Sequence, residues 1–317
     1  MPGPSDGVTG ASPSDDIGRQ LPVGDEIFLD HVAHFVRDAE AASRALACCG
    51  FAPTPISIQV SPDPAGGTRP TGTGNVTVML ARGYAEILFK TSDTPLSSEF
   101  DAALERHAGM HLAAFAVADA EAAHRRLAAS DFAVRDLVRM SRPVETVQGP
   151  DMAAFTIARV APGVMPEGRI QILTHHTEHA VWQPRWLAHP NSACGLIDVV
   201  IAVADVEEAM RRFARFTGRA AAPKTGGALI RLDRGGIYLV SHERAAERLP
   251  EIAFPTLPFM IGYALQVKSL ATAEMAVEAA DLEWHAFDDG IAAAFPAELG
   301  EGAWFFAESA SALPWRR

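Results

Sequence analysis

Four side chains in this chain are of the types that could share one metal ion: the imidazoles of His31 and His111, the carboxylate of Glu86 and the amide of Gln171. Each lies in a short apolar run: LDHVAHF, MHLAAFAV, GYAEILF and RIQILTH. A carboxylate among Ala85, Ile87, Leu88 and Phe89 loses several kcal/mol of hydration if it is buried alone, and a divalent cation removes that objection. Two imidazoles, a carboxylate and an amide oxygen form a borderline-to-hard donor set suited to Zn, Ni, Co, Mn or Fe. The lack of thiolates argues against a structural zinc site. An open position on such an ion would let a substrate chelate through neighbouring oxygens, with the metal as Lewis acid.

The elements that must position these groups repeat. Residues 29–36 read as a strand, Asp38 as an N-cap, residues 39–49 as a helix, and Gly50 as its left-handed stop. On a strand, residues two apart share a face, so His31 lies with Leu29, Ala33 and Phe35 while His34 faces the other way. The pattern returns at residues 111–132, at 196–218 and, more faintly, at 261–282, with caps Asp38, Asp119, Asp205 and Ser269 spaced 81, 86 and 64 residues apart. β-rich runs follow every helix: 55–60, 75–80 and 84–90; then 133–140, 153–160 and 169–174; then 227–232 and 236–240; then 284–288, 291–295 and 303–307. The fold class expected is α+β, as four tandem βαβββ modules. Aligning the first two modules by their Asp caps places His31 and His111 in corresponding first strands, and Glu86 opposite Gln171 in the last ones.

On the motifs LDHVAHFVRD, GYAEILF, MHLAAFAVAD and RIQILTHH, the sequence resembles the vicinal oxygen chelate superfamily of glyoxalase I, bleomycin-resistance proteins and extradiol dioxygenases, in outline over residues 25–308. It is most similar to the glyoxalase-like branch, which also tends to carry a segment like Trp182-Gln-Pro-Arg-Trp186 with His189-Pro-Asn191. The resemblance implies that modules pair into two curved mixed-sheet domains, and that His31, Glu86, His111 and Gln171 are the ligand positions of a divalent metal. It also implies a small substrate that passes through a metal-bound enolate in an isomerase or lyase step. Gln171 departs from glyoxalase I, where a glutamate can act as base, so that role passes to Glu86. His175 shares the parity of Gln171 and is expected at the cavity mouth as a general acid or base. The competing readings are an extradiol-type iron dioxygenase acting on a catechol or hydroquinone, and a metal-free binding protein. In modules three and four the matching places hold Asp198, Tyr238, Ile261 and Trp304, which make no metal site, so that half is read as structural or substrate-capping.

The rest of the chain bounds the reading. With 317 residues and 48% hydrophobic content there is enough chain for two domains. A net charge of −12 with no long basic run disfavours nucleic acid as a partner. The expected division is a disordered lead-in (1–24), a first domain (25–178), a Trp/Pro-rich strap (179–192), a second domain (193–308) and a tail (309–317). The lead-in lacks the basic start and apolar core of a secretory signal, and no run reaches the roughly 20 apolar residues of a membrane span. Cys48, Cys49 and Cys194 make no disulfide framework. A cytoplasmic protein is expected, with a small-molecule substrate and a homodimer as its assembly. Residues 95–107 read as a linking helix capped near Ser97 or Ser98 with His107 at its end. Arg135, Arg139 and Arg142 alternate toward a rim where one could hold a substrate carboxylate.

Overall fold

In the computed structural model, residues 19–63 and 65–317 are described. The first unit runs β1 (Ile27–Phe35), α1 (Ala39–Cys48), β2 (Ser57–Pro62), β3 (Thr68–Met79) and β4 (Tyr84–Lys90). Beyond a linking helix α2 (Pro95–Arg106) the second repeats it as β5 (Gly109–Val117), α3 (Ala120–Ala129), β6 (Val138–Thr146), β7 (Gly149–Arg159) and β8 (Arg169–His175). A strap holding the short α4 (Glu178–Val181) leads to the third: β9 (Ala193–Val203), α5 (Val206–Thr217), β10 (Ala221–Lys224), β11 (Gly227–Arg231) and β12 (Gly236–Ser241). Helix α6 (His242–Arg248) then precedes β13 (Phe259–Val267), α7 (Leu270–Ala279), β14 (Trp284–Phe287), β15 (Gly290–Ala294) and β16 (Ala303–Ala307). The βαβββ repeat is present four times, β10 being the strand not read from the sequence.

Each expected cap does its work. Asp38 accepts from the Ala41 amide at 2.9 Å, Asp119 from Glu121 and Ala122, Asp205 from Glu208 at 2.9 Å, and Ser269 from Thr272 at 3.3 Å. Such bonds satisfy amides that the first helical turn leaves unpaired. The linking helix differs from expectation: Thr94 caps it, and Ser97 answers from the third helical position in a capping box.

The first two units close into a barrel in the order β1-β4-β3-β2-β6-β7-β8-β5. Pairing is long around β1 and β5 and reduces to a single bridge, Val60 to Ser141, at the β2–β6 seam. The last two units form an open eight-stranded sheet, β10-β11-β12-β9-β13-β16-β15-β14, ending in edge strands of four residues. Short edges of this kind limit strand addition. One continuous apolar core joins Leu46 of α1, Leu127 of α3, Phe213 and Phe216 of α5 and Val277 of α7 to the outward faces of both sheets. The two domains therefore pack against each other across one shared core, to which β1 and β9 contribute as well as the helices.

His34 lies in that shared core, opposite in face to His31 as the strand period requires. Its Nδ1 lies 3.0 Å from the Leu299 carbonyl, and its ring meets Phe295 edge-on. Of the expected disordered lead-in, residues 1–18 lie outside the described residues. Over residues 19–24 the chain is anchored: Arg19 pairs with Glu26, and the buried Gln20 donates to the Ala81 carbonyl.

Candidate active site

The barrel interior takes one face of every strand. From β1 it takes His31, Ala33 and Phe35, and from β4, paired in parallel with β1, it takes Glu86, which stands opposite Ala33. In β8 Gln171 stands opposite Ala114, the counterpart relation in the second unit. His31, Glu86 and Gln171 line one cavity of about 50 Å³, together with Tyr84, Arg142 and Arg159. At roughly 10–15 Å³ per water, that is space for about four waters or the reacting end of a small molecule.

His111 is not among them. Counted back from the caps, His31 is seven residues before Asp38, but His111 is eight before Asp119; the residue at seven is Leu112, which does line the cavity. The β1–β5 ladder skips His111, passing from Leu112 opposite Ala33 to Met110 opposite His34. This is a β-bulge, and it turns His111 to the barrel end. There its ring stacks on His107 at 4.0 Å, lies against Phe35 at 5.2 Å, and holds the His107 carbonyl with Nε2 at 2.8 Å. Burial, with the His107 imidazole adding to it, lowers the pKa of His111 to about 3. His107 is itself lowered by burial, which disfavours a charged imidazole at this helix end.

A second bulge builds what the sequence reading missed. The ladder also skips Asp30, between Leu29 and His31, and its carboxylate turns inward with no solvent exposure. Asp30 Oδ2 lies 2.7 Å from His31 Nδ1 and Oδ1 lies 2.9 Å from His175 Nε2. Burial alone would raise its pKa, but its contacts with His175 and His31 outweigh that and hold it well below the carboxylate range. An ionised Asp30 makes both facing ring nitrogens donors. His31 thereby keeps Nδ1 as the donor and turns Nε2 into the cavity, 3.8 Å from Glu86 Oε2 and with its ring stacked on Tyr84 at 4.5 Å. His175 stands behind this pair and not at the cavity mouth, its ring edge-on to Trp182 at 4.8 Å. The one advance signal was a charged residue inside the otherwise apolar IFLDHVAHF.

One oxygen of the buried Glu86 carboxylate is held by side-chain amides. Its Oε1 accepts from Asn75 Nδ2 at 2.5 Å and Gln59 Nε2 at 3.2 Å, and Gln59 accepts in turn from Thr73 at 2.7 Å. Positive charge comes from the second unit. Arg142 of β6, Arg159 of β7 and Arg169 of β8 all line the cavity. Arg159 Nε donates to Gln171 Oε1 at 3.0 Å, which occupies the amide oxygen meant for a metal. Burial lowers the pKa of each guanidinium, that of Arg159 to about 9 with the like charge of Arg169 adding to the effect. Arg142 thus faces the cavity and not a solvated rim, whereas Arg135 pairs with Glu99 and Arg139 with Glu121 outside it.

These residues do not fit the expected metal centre. His31 and Glu86 are the two donors left, short of the three protein ligands usual in a catalytic zinc site, and three guanidiniums share their cavity. Among the described residues no three His, Cys, Asp or Glu side chains gather within metal-binding reach.

The strap closes the barrel from behind. Trp182 packs on Tyr84 and His175 without lining the cavity, while His189 takes the Ala52 amide on Nδ1 at 2.9 Å and holds the Met79 carbonyl with Nε2 at 2.7 Å. In the second domain Asp198 occupies the His31 place, fully buried. It pairs with Arg316 and accepts from Trp315 Nε1 at 2.8 Å, and Trp315 stacks on Tyr238 at 4.9 Å. The tail expected over 309–317 is therefore folded into the second concave face, where it leaves a cavity of about 600 Å³ lined by Tyr238, Arg244, Ile261 and Phe305. Trp304 faces the shared core instead.

A sequence profile of the glyoxalase-like domain matches residues 29–217. No curated protein matches the chain by sequence. Among solved structures, a hypothetical protein from Staphylococcus aureus superimposes with a TM-score of 0.61 at 9% identity, over 88% of this chain and 98% of that one. A triple mutant of 4-hydroxymandelate synthase from Streptomyces coelicolor gives 0.53 at 13% identity, over 89% and 92%. The Mn(II)-bound glyoxalase from Novosphingobium aromaticivorans gives 0.54 at 12% identity, over 90% and 82%. At these identities the likeness is one of fold.

Proposed function

The chain belongs to the glyoxalase-like domain family, and from that premise we propose that it is an enzyme of isomerase or lyase type whose barrel cavity takes a small oxygenated anion and removes a proton from it. The observation that carries this reading is the orientation of His31, with Nδ1 held by the buried Asp30 and Nε2 aimed into a cavity that arginines also line. An imidazole fixed in this tautomer is a general base, worth typically 10²–10⁴-fold in rate.

The electron balance is simple. A proton on the carbon next to a substrate carbonyl passes to His31 Nε2, and the C–H electron pair moves into an enolate whose oxygen is held by the guanidiniums of Arg142 and Arg159. Positive charge placed beforehand in a site of low dielectric is the ordinary means of stabilising such an oxygen. Returning the proton to a neighbouring atom gives isomerisation, and expelling a leaving group gives elimination. Glu86 faces His31 and offsets the charge of the arginines between turnovers.

The test works on a panel of candidate acids. Small 2-oxo and 2-hydroxy acids are incubated with the protein in D₂O, and exchange of the hydrogen next to the carbonyl is followed by proton NMR. Exchange that is present in wild type and absent in His31→Gln is expected. Equal exchange in both proteins would overturn the reading, and binding without exchange would favour a sequestering protein. A divalent metal requirement is checked in the same preparations by metal analysis. Stoichiometric iron with oxygen uptake would favour a dioxygenase, and stoichiometric zinc, nickel, cobalt or manganese lost in His31→Gln would favour a metal-borne enolate.

A further inference from the structure

At the end of the barrel, between α2 and the loop over residues 160–168, lies an open groove of about 460 Å³, roughly nine times the volume of the central cavity. Arg106, Arg135, Arg159 and Arg169 line it, against a single carboxylate, Glu99. Glu99 is shared: its Oε1 accepts from Arg135 Nη1 at 2.5 Å and its Oε2 lies 3.6 Å from Arg169 Nη2. Arg159 is 6% exposed, and burial depresses its pKa, with the like charges of Arg169 and Arg135 adding to it. Converging, partly desolvated like charges of this kind are costly unless an anion joins them. Arg159 and Arg169 also line the central cavity, so the same two guanidiniums border both spaces.

We propose that this groove is the subsite for a terminal carboxylate or phosphate of the substrate, whose other end reaches His31. The inference rests on the proton-transfer reading of the barrel and adds the substrate class: an elongated acid with its anionic group separated from the reacting carbonyl, longer than the central cavity alone can hold. Specificity for the anion then comes from Arg106 and Arg135 outside, while Arg159 and Arg169 bridge groove and cavity. Planar guanidiniums bind carboxylate and phosphate in paired contacts, which makes arginine the suitable residue for such a site.

The test titrates inorganic phosphate and, separately, glutarate into wild type, Arg106→Gln, Arg135→Gln and Glu99→Gln by isothermal calorimetry at low salt. Removing either arginine should weaken the preferred anion about tenfold, the effect of one charge-assisted contact. Glu99→Gln should tighten it, because that change frees two guanidiniums from their internal counterion. A general loss of structure would weaken binding in all three variants, so the opposite sign for Glu99→Gln separates the two causes. Preference for phosphate or for glutarate identifies which acid the site takes, and either supports the proposal. No binding of either anion, or affinity that none of the three changes moves, overturns it. His31→Gln should keep the anion affinity while losing exchange, so failure of the groove and failure of the proton transfer are told apart.

Discussion

Replacing Asp30 by Asn tests the centre of the mechanism with a change of one atom type. In the wild-type protein both carboxylate oxygens are used, at 2.7 Å on His31 and 2.9 Å on His175, with no solvent in reach. An asparagine offers one acceptor and one donor, so one of the two rings must present a lone pair to the new N–H. His31 is the ring that gains by switching, since a proton moved to its Nε2 faces Glu86 Oε2, now 3.8 Å away. His175 would gain nothing, because its Nδ1 is buried without a partner. The switched His31 no longer shows a lone pair to the cavity. Exchange in D₂O should fall about 10²–10⁴-fold, equivalent to roughly 3–5 kcal/mol of activation free energy. Loss of one charged hydrogen bond should also lower stability by about 1.5–3 kcal/mol. Ring ¹⁵N shifts read the tautomer directly, with no substrate present. If Asp30→Asn leaves His31 with its lone pair on Nε2 and the exchange rate unchanged, Asp30 does not orient the base, and the mechanism fails.

Other outcomes follow from the same geometry. Burial lowers the pKa of His34 from 6.5 to about 4, the Leu299 carbonyl opposing it weakly. A depressed pKa means that the unfolded chain binds the proton first, so stability is full above pH 6.5 and drains as pH falls toward 4, by about 3 kcal/mol. His34→Gln should flatten that slope in urea titrations at stepped pH. Arg316→Ala strands the buried Asp198 carboxylate, and a loss of about 3–5 kcal/mol is expected in chemical denaturation. Gln171→Glu places a carboxylate on Arg159 Nε, and calorimetry should show weaker anion binding than wild type, whereas a metal-centred site would instead show tighter metal binding. A methyl group added at Gly262 would stand 1.7 Å from the Ala303 carbonyl oxygen, so Gly262→Ala should fail to give soluble, cooperatively unfolding protein.

The repeat, the four caps and the strand faces were legible because they are local: an Asp or Ser ahead of helix formers meets its own amides whatever surrounds it, and the period of two separates His31 from His34. The β4 boundaries and the opposition of Glu86 and Gln171 follow from the same regularity. The bulges at Asp30 and His111 were not legible, because each depends on which residue of β5 meets which of β1, a choice made by the packed barrel. A slip of one residue exchanges faces, and it removed one expected ligand from the cavity while setting an unexpected carboxylate behind His31. A carboxylate amid apolar neighbours in sequence does demand compensation, yet only the closed sheet decides that Asn75, Gln59 and Arg142 supply it. Three arginines on three different strands become one electrostatic wall by the same closure. The chain alone specifies which groups must be buried, and the tertiary structure selects their partners, because hydrogen bonds and charges act across strands that lie far apart in sequence.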